Sequence, residues 1–150
     1  MLRLQALFRA EIMLAPAQEL GETPQGRRRV VPIIGGRFDG ERLSGRVLPG
    51  GGDWQVIRSD AVAQLDARYT LETDDGALVY VRNEGLRHGP PEVMQKLALG
   101  ETVDPAAYYM RTVPHFETGD TRYAWLNRLV CVATGARRAA TVELDVFEVK

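Results

Sequence analysis

The chain has 150 residues, 45% of them hydrophobic and 26% charged, and a formal net charge of −1. Its length suits one domain with a real core. One Cys and two widely separated His, His88 and His115, exclude an internal disulfide framework and argue against a zinc centre. The balanced charge argues against nucleic acid as a partner, and no apolar run is long enough for a membrane-spanning helix. A cytoplasmic protein that binds neither nucleic acid nor membrane is expected, with no metal and no cofactor.

Arginine usage is uneven, since Lys96 and Lys150 are the only lysines. Planar guanidinium groups suit anion recognition. Genomic base composition accounts for the same bias more simply. The runs Arg27-Arg28-Arg29 and Arg137-Arg138 are read as exposed strand ends beside turns.

Period-2 alternation dominates the chain. Leu2, Leu4, Ala6, Phe8, Ala10, Ile12 and Leu14 fall on one face, opposite Arg3, Gln5, Arg9 and Glu11, which predicts a long half-exposed strand. Residues 15–26 read as a loop, and 27–34 as a second strand closed by Gly35-Gly36. Asp39-Gly40 marks a hairpin turn before a strand at 43–48, and a glycine-rich loop then leads to a strand at 54–58. Strands at 63–72 and 77–83 are joined by the tight turn Asp74-Asp75-Gly76. Pro90-Pro91-Glu92 opens one short helix, striped by Val93, Met94 and Leu97 and ended by Gly100. Strands at 108–113, 123–133 and 139–149 follow, with Thr134-Gly135-Ala136 as the last turn.

Roughly eight to ten strands and one short helix predict an all-β single domain over residues 1–150. An antiparallel β-barrel is expected, because closure removes the unpaired edges of long strands. A barrel of about eight strands either fills its lumen with side chains or holds one small ligand there. Gly35, Gly36, Gly40 and Gly45 lie where such a barrel needs bends and close backbone approach.

The segment Leu48-Pro49-Gly50-Gly51-Gly52-Asp53-Trp54 lacks the Gly-Lys-Ser/Thr of a phosphate loop and the helix of a dinucleotide fingerprint. It does bring a carboxylate, Asp53, beside an indole, Trp54, although a turn cap and a core Trp account for both. Tyr69 and Tyr80 sit among apolar neighbours and offer stacking rings with one hydroxyl each. On an unbroken strand Tyr109, Arg111, Val113, His115 and Glu117 share a face. A buried Arg111 would need a carboxylate, Glu117 or Asp53. Such a pair either braces the barrel or orients a developing oxyanion while a second carboxylate moves a proton. Asn127 shares its predicted strand face with Trp125, Leu129 and Cys131, and sparse polar groups on an apolar wall are typical of small-ligand sites. A structural Asn fits the same position. Cys131 reads as an inert core thiol.

The runs Pro32-Ile33-Ile34-Gly35-Gly36-Arg37-Phe38-Asp39-Gly40 and Leu43-Ser44-Gly45-Arg46-Val47-Leu48-Pro49-Gly50-Gly51-Gly52-Asp53-Trp54-Gln55 resemble uncharacterised protein family 0311, also called domain of unknown function 3237. Leu65-Asp66-Ala67-Arg68-Tyr69, Asn83-Glu84-Gly85, Tyr108-Tyr109-Met110-Arg111-Thr112, Phe116-Glu117-Thr118 and Trp125-Leu126-Asn127 continue the likeness over nearly the whole chain. Gly52 departs from it, standing where many relatives are expected to carry Ala. The resemblance implies a β-barrel-like domain. It also implies an association of some relatives with polyketide-type biosynthesis, through cofactor-free ring closure on a phenolic substrate.

The leading expectation is a cofactor-independent enzyme acting on a small apolar or aromatic molecule in the lumen. Asp53 or Glu117 would donate or accept the proton, Arg111 and Asn127 would bind developing negative charge, and Trp54, Tyr69 and Tyr80 would form the stacking wall. Asp53 and Glu117 on opposite sides of the barrel wall, with no shared cavity, would end this expectation. A non-catalytic carrier barrel of lipocalin type is the alternative, and a barrel packed solid is a third. A shifted carboxylate pKa inside the cavity separates enzyme from carrier. The exposed strand faces permit a homodimer.

Overall fold

A computed structural model describes residues 1–150. Its strands are β1 (Leu4–Leu14), β2 (Gln18–Thr23), β3 (Gly26–Asp39), β4 (Ser44–Val47), β5 (Gly51–Ile57), β6 (Ala63–Thr73) and β7 (Leu78–His88). After the helix α1 (Pro91–Ala98) come β8 (Tyr109–Glu117), β9 (Cys131–Arg137) and β10 (Thr141–Val149). Two 3-10 turns, Pro105–Ala107 and Thr121–Arg128, flank β8. From β1 the order runs through β10, β9, β8, β7, β6 and β4 to β3, and β3 pairs back onto β1. The antiparallel barrel is therefore closed. β4 and β5 share one place between β3 and β6, giving eight strand positions. β2 lies outside the ring, on the first half of β3.

Closure depends on a bend in β3. Val31 and Ile33 point inward before Gly35-Gly36, whereas Phe38 points inward after it, so the inward parity changes within one strand. The register against β1 slips at the same place, between Met13↔Gly35 and Leu14↔Ile33. Gly35 and Gly36 have φ of 154° and 141°, values that L side chains rarely adopt. A Cβ at Gly36 would also overlap the carbonyl oxygen of Glu11. The glycine pair thus bends one 14-residue strand instead of ending it.

Other elements also differ from the alternation. β2 has no buried side chain; backbone pairing alone makes it a strand, which hydropathy does not register. The predicted strand at 123–133 begins as a 3-10 turn, whose first N–H groups are capped by Asp120, accepting from the Arg122 N–H. Thr134-Gly135-Ala136 lies inside β9, where a Cβ on Gly135 would strike the Met110 side chain. At the start of β1 a bulge between Ala6 and Phe8 leaves Leu2 and Leu4 exposed and buries Leu7.

The core is divided along the barrel axis. At one end Phe8 packs edge-on against Phe38 and Phe116, at centroid distances of 5.4 and 5.8 Å. Leu126 plugs this end from the longer 3-10 turn. Arg42 closes it further, stacked over Trp125 at 4.3 Å and bonded to the buried Glu148 at 2.8 Å. At the other end a smaller cluster of Ala63, Leu65, Val103, Tyr108 and Met110 carries α1 through Val93, Met94 and Leu97. Pro91 starts that helix and Gly100, at φ 77°, follows its end. No helix is long and apolar enough to cross a membrane.

Gly36→Ala is expected to cost roughly 1–3 kcal/mol of stability, from the strained φ and the overlap with Glu11. Gly119→Ala, whose Cβ meets nothing, should stay within about 0.5 kcal/mol of the parent. Urea midpoints of the three proteins check this, and equal midpoints would remove the Gly35-Gly36 bend as the closing device.

Candidate functional site

Strand alternation that buries apolar residues at the packed end carries polar ones inward at the other. In β7 the inward series is Val79, Val81, Asn83, Gly85 and Arg87. In β8 it is Met110, Thr112, Pro114 and Phe116. Pairing sets the polar residues in layers: Asp53 opposes Ala67, which opposes Asn83; Gly85 opposes Thr112; Arg87 opposes both Ala63 and Met110. They enclose a cavity of about 40 Å³, walled elsewhere by aliphatic side chains such as Val31, Ile33 and Leu144. That space suits about three water molecules or one end of a ligand. Above it a mouth of about 620 Å³ opens between α1, the β2–β3 hairpin and the β5–β6 turn. Arg87 and Arg137 line both spaces and so form the throat.

Asp53 is the carboxylate of the lumen. The β5–β6 ladder pairs Asp53 with Ala67 and resumes only at Val56 with Gln64. In the gap the Asp66 N–H donates to Asp53 Oδ1 at 2.8 Å, and Gln55 Nε2 donates to Oδ2 at 2.8 Å. The residue is half-buried by exposed area. Protein nevertheless surrounds the carboxyl closely enough that lost hydration raises its pKa, against the two hydrogen bonds and the Arg87 charge. Burial in turn lowers Arg87 to about 10; Asp53 opposes that shift, while Arg137 and Arg29 add to it. Burial likewise raises the Tyr69 phenol, which sits beside the Asn83 amide.

Three side chains in this lumen are left with an unused hydrogen-bonding atom: Gln55 Oε1, Asn83 Oδ1 and Thr112 Oγ1. Their residues are only 4%, 3% and 4% exposed. A buried polar atom without a partner costs about 1–3 kcal/mol, so such a group marks a place where water or a ligand supplies the bond.

Of the residues singled out in the sequence, only Asp53 and Tyr69 line the lumen. Trp54 points outward, 40% exposed, its carbonyl accepting from Arg28 at 3.3 Å. Tyr80 lies on the outer face of β7, paired with Glu117 of β8. Arg111 and Glu117 do share a face, but it is the outer one, because the even residues of β8 are the buried set. Arg111 donates to the Met110 carbonyl at 2.9 Å and needs no carboxylate. Asp53 and Glu117 therefore stand on opposite sides of the wall, and the expected two-carboxylate site does not form. Asn127 clamps the 118 loop: its Oδ1 accepts from the Thr118 N–H at 2.8 Å and its Nδ2 donates to the Thr118 carbonyl at 2.9 Å.

Gln55, Asn83, Arg87, Thr112, Arg29 and Arg137 are not among the site candidates drawn from the sequence. Gln55, Asn83 and Thr112 do lie in the family-like runs, and Arg29 and Arg137 in the two arginine runs. All but Gln55 continue a buried parity by two-residue steps. Asn83 and Arg87 follow Val79 and Val81, Thr112 follows Met110, Arg29 precedes Val31 and Ile33, and Arg137 follows Cys131, Ala133 and Gly135. Gln55 is buried beside Val56, where β5 does not alternate. The two arginine runs are thus not simply exposed ends. Arg29 is 17% exposed at its side chain, and Arg137 is half-buried at the throat.

A family model described as "Protein of unknown function (DUF3237)" matches residues 2–149. The chain belongs to that family. A UPF0311 protein of Bradyrhizobium diazoefficiens is 51% identical over 129 residues, covering 86% of this chain and 84% of that one. The crystal structure of a conserved protein of unknown function from Rhodopseudomonas palustris superposes with a TM-score of 0.95 at 44% identity, covering 100% and 99% of the two chains. An enzyme from Penicillium herquei shares the fold at a TM-score of 0.74 and 20% identity, covering 99% of this chain and 95% of its own.

The raised Asp53 pKa has a defined sign in stability. Folded protein binds this proton more tightly than unfolded protein, so stability is lost as pH rises from the ordinary carboxylate range through the folded-state pKa. Asp53→Asn removes that loss. The melting temperature of the variant relative to wild type should climb as pH rises above the ordinary carboxylate range, about 4. A flat or falling difference in thermal melts would contradict an enclosed, hydration-starved carboxylate.

Proposed function

We propose that the protein is a cofactor-independent enzyme that moves a proton within a small, largely apolar or aromatic molecule. Its chemistry is of the cyclase, isomerase or lyase kind. The carrying observation is the single Asp53 carboxyl in the lumen, its pKa raised by burial and its two oxygens oriented by Gln55 and the Asp66 N–H. A carboxyl tuned upward exchanges protons nearer neutral pH than an exposed one. Only the reacting end of the molecule fits the inner cavity; the rest occupies the mouth.

Asp53 takes a proton from one atom of the substrate and returns it to another, so isomerisation or ring closure needs no further reactant. Arg87, at the throat beside this carboxylate, stabilises the negative charge that develops in between. The unused Gln55 and Asn83 oxygens accept hydrogen bonds from substrate hydroxyls, and the Thr112 hydroxyl donates or accepts. Tyr69 supplies a buried aromatic side chain to the lining. The Penicillium herquei protein is itself called an enzyme, so catalysis is compatible with this barrel. We further propose a cytoplasmic location, which the free buried thiol of Cys131 suits.

Incubating the protein with a small-molecule cell extract and following it by mass spectrometry tests the reading. Wild type should consume a compound with appearance of an isomer or dehydration product. Asp53→Asn should slow this about 10²–10⁴-fold, the usual weight of a general acid or base. Retention of a compound without any conversion by wild type would make the protein a carrier instead.

A further inference from the structure

The charges of the mouth are lopsided. Five arginines line it, Arg27, Arg29, Arg58, Arg87 and Arg137, against one acid, Glu22. Arg58 is bound to Asp60, and Arg27 is exposed, opposite Glu22 in the β2–β3 ladder. The other three converge on the throat. Arg29 reaches only the exposed Glu19, at 3.7 Å, and its Nε is buried without a partner. Arg137 spends one nitrogen on the carbonyls of Arg138 and Thr141. Asp53 is the acid that acts on Arg87 and Arg137, and both its oxygens already accept hydrogen bonds from Gln55 and Asp66.

Three guanidinium groups that repel one another in a half-buried throat, with one carboxylate between them, form a site short of negative charge. The remedy is an anion from outside. We propose that the substrate carries a carboxylate, held at the throat by Arg29, Arg87 and Arg137 while its reacting end enters the lumen toward Asp53. The forked donors of arginine match a planar carboxylate in two-point contacts. The apolar remainder of the molecule lies against Met94 and Leu97 of α1, within a mouth of ligand size. This inference rests on the lumen taking a ligand, not on its transforming one.

Sodium benzoate and benzamide, equal in shape and different in charge, test it by calorimetric titration at constant ionic strength. Wild type should bind benzoate at least about tenfold more tightly than benzamide, the scale of one charge-assisted hydrogen bond. Arg87→Gln and Arg29→Gln should each abolish most of that preference. Arg28→Gln, a neighbour that bonds the Trp54 carbonyl, should keep it. If Arg87→Gln fails to fold by circular dichroism, Arg29→Gln decides. No binding of benzoate, equal binding of the two compounds, or a preference retained in the folded throat variants overturns the proposal. Binding is read without turnover, so a protein that selects benzoate yet converts nothing loses the catalytic reading and keeps this one.

Discussion

The pairing of β3 with β1 turns an open sheet into a barrel, and everything at the site depends on it. Without that ladder β1 and β3 would each present a row of unpaired backbone groups, and the lumen would have no wall on that side. The pairing forms because β3 bends sharply at Gly35-Gly36 and exchanges its inward parity there. Val31 and Ile33 then face the open half, while Phe38 joins Phe8 in the packed half. One local bend thus divides the barrel into a half that supplies stability and a half that is free for chemistry.

The division settles where polar residues can be tolerated. In the packed half, aromatic contacts and Leu126 leave no room, and the one buried acid, Glu148, is bonded to Arg42. In the open half, Gln55, Asn83 and Thr112 stand on rigid strands around Asp53, each with one hydrogen-bonding atom unused. Rigid strands hold such groups more accurately than loops do. Asp53 has a second duty, filling a missing rung of the β5–β6 ladder through the Asp66 N–H. The carboxylate offered to a ligand is therefore also pinned by the sheet.

Electrostatics runs along the same axis. On the outer surface arginines meet acids in ordinary exposed pairs, such as Arg46 with Glu72 and Arg9 with Glu143, which contribute little each. At the throat the pairing fails, and guanidinium groups outnumber carboxylates.

Period-2 alternation predicts most of the strands, because burial against a core imposes that period locally. The antiparallel barrel follows from the need to close strand edges, the helix from its Pro90-Pro91-Glu92 start and Gly100 end, and the turn from Asp74-Asp75-Gly76 itself. Alternation also grouped Tyr109, Arg111, His115 and Glu117 correctly on one face. Alternation says which residues share a face and not which face turns inward. That is decided when the strand meets its neighbours, and here it sent Met110 and Thr112 in and Arg111 and Glu117 out. Tyr69 is recoverable as a tyrosine among apolar neighbours, and Asp53 as the carboxylate that ends a glycine-rich segment beside an indole. Arg29, Arg87 and Arg137 are not, since a charged residue at a strand end looks exposed until closure carries several such ends to one throat. Local sequence determined the strands and their two faces; closure of β3 onto β1 determined which face became the lumen, because only long-range pairing creates an inside.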